Sequence, residues 1–196
     1  MSARRRVLFV AEAATLAHVT RPLVLARSLD PQDYEVHFAC ADRFGFVFGD
    51  EPFARHTIQS ISTERFCRSL AKGSPLFDYR TLAAYAEEEQ GLLERLRPDV
   101  VVGDFRLSLA VSSRLAGIPY ASINNAHWSP YTRGGYPLPD LPMVPILGVT
   151  LSNLIFQQVQ PLAFALHARP LNRLRKEKGL APFDNVCHTY THADYT

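Results

Sequence analysis

Short apolar runs alternate with segments of helical spacing along most of this chain, and this alternation constrains the fold more than any other feature. The first run, "RVLFVAE", is nearly continuous in apolar residues, which is typical of a strand buried on both faces of a parallel sheet. Strands that alternate with helices build a parallel sheet covered by helices on both sides. The sequence therefore predicts an α/β fold with a doubly wound, Rossmann-like parallel sheet.

The first repeat of this pattern predicts a strand, a helix and a second strand. Thr20 or Arg21 is expected to cap the helix, whose first turn holds Pro22, where a missing N–H costs nothing. The second strand is predicted from Tyr34, because apolar and polar residues alternate there through "YEVHFACA". A third strand is expected in "HTIQSIS".

The second half of the sheet shows the same order of elements. Apolar spacing predicts a helix over 79–96 and a buried strand over 100–102. The next helix should end at Gly117, and "YASINNA" should form the last strand. Beyond Asn125 the chain is rich in Pro, Gly and aromatic residues, which predicts a long loop.

Composition excludes several classes of protein. The chain has 196 residues, of which 47% are hydrophobic, and this length suits one large domain. Its net charge of +2 is too small to indicate a nucleic-acid partner. The three cysteines lie far apart and form no metal-ligand spacing, and no signal peptide follows the basic start. We therefore expect a globular, cytoplasmic protein.

Two polar residues follow predicted parallel strands, at the edge where α/β sheets bind ligands. His18 comes after the first strand and Asp104 after the fourth. A histidine with a carboxylate behind it makes a usable general base. Alternatively, His18 is a structural turn residue, and Asp104 caps the helix that follows it. The stretch "EAATLAHVT" has no glycine, which disfavours a dinucleotide-binding dehydrogenase.

Three segments carry a resemblance to a known family: "VLFVAEAATLAHVTRPLVLARSL", "LRPDVVVGDFRLSLAVSSRLAGIPYASINNAHWSP" and "LNRLRKEKGL". Together they resemble the N-terminal half of the GT-B fold glycosyltransferases related to the UDP-glucosyl and UDP-glucuronosyl transferases. The resemblance implies that His18 deprotonates an acceptor hydroxyl and that Asp104 supports it. The chain departs from the family's Gly-His-x-x-Pro pattern, because Ala17 replaces the glycine and Pro22 falls one residue later.

The resemblance also implies what the chain lacks. Family members are longer, and their second half carries the nucleotide-sugar site. Residues 1–196 are therefore expected to form a single N-terminal acceptor-binding domain of a truncated protein, without the C-terminal domain that binds the nucleotide sugar. That donor is a co-substrate, so no cofactor is expected. The predicted activity is inverting transfer to a hydroxyl of a small hydrophobic or lipid-linked acceptor. The alternative is a non-catalytic α/β domain that binds a small molecule.

Residues after the last predicted strand are candidates for contact with the acceptor. They are Asn124, Asn125, His127 and Trp128, and a simple polar turn explains them equally well. Another pair, His188 and His192, lies four residues apart and would bind a metal only on a helix, so no metal site is expected.

The C-terminal third contains a long uncharged segment followed by basic residues. No Asp, Glu, Lys or Arg occurs from 141 to 168, but the prolines in this segment disfavour a membrane span. We interpret a predicted helix over 149–166 as a wall of the acceptor pocket. A separate basic helix, ending at Gly179, either presents a solvated face or makes peripheral contact with an anionic membrane.

Overall fold

The computed structural model describes residues 4–129, 131 and 136–196. In this part of the chain, five strands form one sheet in the order β3-β2-β1-β4-β5, and every neighbouring pair is parallel. The strands are β1 (Arg5–Ala11), β2 (Tyr34–Cys40), β3 (Ala54–Thr57), β4 (Val100–Asp104) and β5 (Tyr120–Ile123). The predicted parallel sheet is therefore confirmed.

Helices connect these strands and follow the last of them. They are α1 (Leu16–Ser28), α2 (Thr63–Ala71), α3 (Tyr79–Leu96), α4 (Leu109–Ala116), α5 (Val144–Glu177) and α6 (Val186–Tyr190). Two short 3₁₀ turns cover Asp42–Val47 and Ala126–Trp128.

Both faces of the sheet are buried, because neighbouring residues of β1 point to opposite sides. On one side Phe9 belongs to a cluster that includes Leu23 of α1. On the other side Leu8 packs with Leu93 of α3 and Leu109 of α4. The sheet is therefore doubly wound, as the continuous apolar runs predicted.

The first helix begins earlier than the sequence predicted. Thr15 is its N-cap residue, and Pro22 lies buried in its interior rather than in its first turn. The proline removes one helical hydrogen bond, to the carbonyl oxygen of His18, but its ring is buried in the protein. The early start also places the fully buried Val19 on the inner face of the helix. As a result, His18 lies in the first turn of α1.

The third strand covers Ala54–Thr57 and not the predicted "HTIQSIS" at 56–62, because the buried Glu12 and the partly exposed Glu88 bind the backbone that follows it. The carboxylate of Glu88 accepts from the backbone N–H of Gln59 at 3.0 Å, and Glu12 accepts from that of Ile61 at 3.2 Å. These N–H groups are therefore unavailable to a neighbouring strand.

One helix replaces the two that were predicted near the C-terminus. α5 is continuous from Val149 to Glu177, and its only non-helical backbone lies at Gly148, with φ of 74°. The helix continues past residue 166, where the first of the two predicted helices was expected to end, because Ala168 and Leu171 are buried there. The uncharged segment and the basic residues thus lie on one element.

Candidate active site

A cavity opens where the carboxyl ends of β1, β4 and β5 meet, and its volume is about 350 Å³. Polar atoms reach it from His18 and Arg21 of α1 and from Asn125 after β5. The rest of the wall is mainly apolar. Six aromatic residues contribute to it: Phe66, Phe77, Phe105, Trp128, Phe164 and Tyr190. Such a cavity suits a small apolar ligand held by a few polar groups.

His18 is fixed on two sides within this cavity. Its Nδ1 lies 3.2 Å from the hydroxyl oxygen of Thr15, and its ring stacks on Phe105 with 4.4 Å between the ring centroids. Thr15 makes no side-chain hydrogen bond to the helix backbone, so its hydroxyl serves the imidazole instead of capping α1. Among the described residues, none hydrogen-bonds Nε2. This nitrogen is therefore available to a ligand.

Burial keeps this imidazole neutral. Desolvation lowers the pKa of His18 from 6.5 to about 4, and the positive charge of Arg21 acts in the same direction. The first turn of a helix, where the backbone dipole is positive, also disfavours a proton on the ring. At neutral pH the ring is therefore in the state that can accept a proton.

Asp104 is paired with Arg21 rather than with His18. The guanidinium donates from Nε to one carboxylate oxygen at 2.9 Å and from Nη2 to the other at 2.6 Å, while Nη1 donates to Asn125 Oδ1 at 2.7 Å. The direct histidine–aspartate contact expected from the sequence is therefore not found among the described residues. Because α1 begins early, Arg21 stands three residues after His18, on the same helix face.

The Asp104 side chain has no exposed surface, although it lies at the same sheet edge as His18. Burial raises the pKa of Asp104 to about 7, while the hydrogen bonds and charge of Arg21 oppose this rise. The neighbouring helix α4 begins at Ser108–Leu109, and no side chain caps it. The alternative interpretation of Asp104 as a helix cap is therefore wrong.

The corner at the end of β4 holds one further residue of the site. Phe105 has φ of 56°, a left-handed conformation that is costly for a bulky residue. This backbone places its ring between those of His18 and Tyr190, with 5.7 Å between the Phe105 and Tyr190 centroids. Two residues earlier, at Gly103 in β4, an added Cβ would clash with a side-chain carbon of Leu109 and lie 2.9 Å from one of Tyr120, so the close packing here favours glycine.

Arg106, the next residue, ties the corner to the rest of the core. It is fully buried, and its Nε donates to Glu89 at 2.6 Å while Nη1 lies 3.2 Å from Glu12. Nη1 also donates to the backbone oxygen of Gln59 at 2.5 Å, and the guanidinium lies over the ring of Tyr85. This network joins β1, α3, β4 and the segment after β3.

The four predicted acceptor contacts have different surroundings. Asn125 and Trp128 line the cavity. Asn124 also reaches it, but its amide donates to Ser122 Oγ at 3.0 Å and to the backbone oxygen of Tyr190. The side chain of His127 lies outside the described residues.

Three residues of the site were missed by reasoning from the sequence: Thr15, Arg21 and Phe105. The three-residue spacing of Arg21 from His18 would have placed both on one helix face only if the start of α1 had been predicted correctly. No sequence signal marks the left-handed backbone of Phe105.

The described residues hold no group of three His, Cys, Asp or Glu side chains that could share a metal ion. In the same part of the chain, no helix is both long enough and apolar enough to cross a bilayer.

Comparison with known proteins shows what the chain is similar to. No protein-family model matches the chain. Two relatives are each 50% identical over 194 residues, covering 98% of this chain: an "Inactive PGL/p-HBAD biosynthesis glycosyltransferase" of Mycobacterium bovis and a "PGL/p-HBAD biosynthesis glycosyltransferase" of Mycobacterium tuberculosis. A "PGL/p-HBAD biosynthesis rhamnosyltransferase" of Mycobacterium bovis matches at the same identity and coverage. The chain spans about half the length of these relatives, with 53%, 45% and 43% of their lengths covered.

Solved structures give the same fold. The glycotransferase of kitacinnamycin matches with a TM-score of 0.62 at 16% identity, covering 98% of this chain and 45% of its own. The Streptomyces glycosyltransferase SsfS6 matches with a TM-score of 0.60 at 16% identity, covering 92% of this chain and 48% of its own. The fold is thus that of one half of a GT-B glycosyltransferase. By sequence, the chain is related to the mycobacterial PGL/p-HBAD glycosyltransferases.

Proposed function

We propose that this chain is the acceptor-binding half of an inverting glycosyltransferase. It would act with a second half that binds a nucleotide sugar and would present the hydroxyl of a small hydrophobic or lipid-linked acceptor. The observation that carries the proposal is the neutral, buried His18, which faces an aromatic-lined cavity at the carboxyl edge of the sheet. The names of relatives at 50% identity support the same reaction class.

In the proposed reaction His18 acts as the general base. Its Nε2 takes the proton of the acceptor hydroxyl while the hydroxyl oxygen attacks the anomeric carbon of the donor sugar. The bond from that carbon to the nucleotide diphosphate breaks, and the diphosphate leaves with the electron pair. Attack from the face opposite the leaving group inverts the anomeric centre. The nucleotide sugar is a co-substrate in this scheme, and no cofactor is needed.

Thr15 and Asp104 have separate supporting roles in this proposal. In this proposal Nδ1 carries the ring proton and donates a hydrogen bond to the Thr15 hydroxyl oxygen 3.2 Å away, which leaves Nε2 unprotonated. Asp104 offsets the charge of Arg21, so that the imidazolium formed during transfer does not lie beside an unpaired cation. Asp104 thus supports the histidine through Arg21 and not by direct contact.

The histidine tautomer can be tested without any sugar transfer. In the chain described above, the ¹⁵N chemical shifts of the His18 ring should show Nδ1 protonated at neutral pH. Thr15→Ser should keep this tautomer, whereas Thr15→Val should shift the ring toward a mixture of the two forms. An unprotonated Nδ1 in the unsubstituted protein would refute the role of Thr15.

Acceptor binding can be followed through Trp128, because it is the only tryptophan of the chain and it lines the cavity. Titration with 4-butylphenol should change its fluorescence, and Phe164→Ala in the cavity wall should weaken binding. The matched control is Phe46→Ala, because Phe46 is 75% exposed and does not line the cavity. Equal affinities of the two variants would contradict the proposed acceptor site.

Catalysis requires the protein that carries this chain together with its donor-binding half. There His18→Ala should lower kcat by about 10²- to 10⁴-fold, the usual contribution of a positioned base, with little change in donor affinity. His167→Ala is the matched control, because His167 also lines the cavity but bonds to the backbone oxygen of Gly73 at 3.0 Å. Near-normal turnover of the His18 variant would end the proposal.

A second candidate is a non-catalytic domain that binds the same kind of ligand. It is favoured by the relative whose name includes "Inactive", which is as similar to this chain as the others. The fluorescence titration would then succeed, while the longer protein would show no transfer with any nucleotide sugar.

We also propose a cytoplasmic location, with small-molecule partners and no nucleic acid. The three free thiols, Cys40, Cys67 and Cys187, support a reducing compartment. Fractionation of cells that produce the protein would test the location.

A further inference from the structure

The outward side of α5 carries a long row of exposed apolar residues. We call it the outer stripe, and it consists of Leu151, Leu154, Ile155, Val159, Leu162 and Leu166. Leu154 and Leu162 are each 62% exposed, although large apolar side chains on a water-facing helix are normally scattered. The opposite side of the helix packs inward, where Phe164, Ala168 and Leu171 form part of the cavity wall.

Three basic residues continue the outer stripe along the same side of the helix. We call Arg169, Arg173 and Lys176 the basic end, and all three are exposed. They follow Leu162 and Leu166 in steps of three or four residues, the spacing that keeps side chains on one helix face. An apolar row and a cationic row therefore share one surface, about 38 Å long from Leu151 to Lys176 at 1.5 Å per residue.

Acidic groups do little to neutralise this surface. No Asp or Glu occurs from 141 to 168. At the basic end, Glu177 lies 3.5 Å from Arg173 and accepts a hydrogen bond from Tyr79 at 2.5 Å. Arg173 also lies over the ring of Tyr79. Two cations, Arg169 and Lys176, thus remain without a described acidic partner.

We infer that the outer stripe and the basic end together form a docking surface for an anionic lipid membrane. Apolar side chains would enter the boundary between headgroups and acyl chains, and the cations would meet lipid phosphates. A second copy of the chain fits this surface less well. Antiparallel pairing would place the basic end on apolar side chains, and parallel pairing would place cations against cations.

This orientation has a consequence for the cavity, which rests on its proposed role as the acceptor site. One side of α5 would touch the membrane while the other side walls the cavity. The cavity would then lie about one helix diameter, roughly 10 Å, from the lipid surface. A lipid-linked acceptor could reach it without leaving the membrane completely.

Sedimentation with vesicles tests the surface without any transfer reaction, so failure here is distinct from failure of the proposed function. The protein should bind vesicles of phosphatidylcholine mixed with phosphatidylglycerol, and should bind phosphatidylcholine alone much more weakly. Each cation near an anionic surface contributes about fivefold, so substituting all three of the basic end by Gln should weaken binding roughly a hundredfold. The double variant Leu154→Ser and Leu162→Ser should also lose binding.

A charge-matched control uses three exposed arginines at the opposite, amino-terminal edge of the sheet. Substituting Arg4, Arg5 and Arg97 by Gln should leave vesicle binding within about twofold of the unsubstituted protein, since charges beyond the Debye length of about 10 Å are screened. An equal loss in this control would show general charge attraction and would overturn the inference.

Two further outcomes would overturn the inference. Light scattering could show that the outer stripe joins two copies of the chain, with the dimer abolished by the Leu154 and Leu162 substitutions. Alternatively, the isolated chain could bind vesicles while the longer protein with its donor half does not. The rest of the protein would then cover this surface.

Discussion

Acidification should destabilise this protein through His18, because the ring is held neutral in the fold. In the unfolded chain His18 takes up a proton near pH 6.5, whereas in the folded protein it does so only near pH 4. Between these values the unfolded state binds more protons, so the free energy of unfolding falls as the pH falls. The gap of about 2.5 pH units corresponds to about 3 kcal/mol.

Urea denaturation of the unsubstituted protein and of His18→Gln, across this pH range, isolates the effect. Other groups, including His56 and His192, titrate in both proteins and cancel in the difference. The stability of the unsubstituted protein relative to the variant should therefore fall by about 3 kcal/mol between neutral pH and pH 4. A difference that does not change with pH would refute the buried, neutral imidazole.

Asp104 should give the pH dependence of stability the opposite sign to that of His18, and Asp104→Asn tests this. Burial raises the pKa of Asp104 to about 7, above its value of 3.8 in the unfolded chain, so the folded state binds more protons between these values. The contribution of Asp104 to stability should therefore be present at low pH and be lost as the pH rises toward 7. The stability difference between the unsubstituted protein and Asp104→Asn could instead fall as the pH falls, as it does for His18. That result would show that Arg21 keeps the carboxylate ionised throughout.

Three further substitutions test the packing around the site by urea denaturation. Gly103→Ala should destabilise the protein by about 1–3 kcal/mol, because the new Cβ would clash with α4 and lie 2.9 Å from Tyr120 Cε2; unchanged stability would show that this corner can relax. Gly91→Ala, in the interior of α3 with only ordinary contacts, should instead stabilise by about 1 kcal/mol. Glu89→Gln should cost about 3 kcal/mol by removing the carboxylate that lies closest to the buried Arg106 guanidinium, and a neutral effect would mean that Glu12 and Glu88 compensate its charge without Glu89.

The sheet could be predicted from sequence because its signals are local. The run through Phe9 is apolar at successive positions, and each end of the helix over 79–96 coincides with the observed end of α3. Gly117 has φ of 65° and ends α4, as its position in the sequence indicated. These features depend on burial and backbone conformation within a few residues.

The candidate site was less predictable, because its contacts join distant parts of the chain. His18 and Asp104 were placed at the correct edge from the strand ends alone. Their connection depends on Arg21, which reaches Asp104 across 83 positions of sequence. An interior proline is costly in a helix, so propensity alone put the start of α1 too late. Burial of Pro22 outweighed that propensity.

Three consecutive residues after β4 serve three different partners: Asp104 binds Arg21, Phe105 stacks on His18, and Arg106 enters the acidic core. Loss or gain of a single residue in this corner would disturb all three contacts at once, so its length should stay constant wherever the fold is reused. By contrast, Phe164 of α5 lines the cavity but makes none of these three contacts. Libraries that aim to change acceptor choice should therefore vary α5 and leave the corner intact.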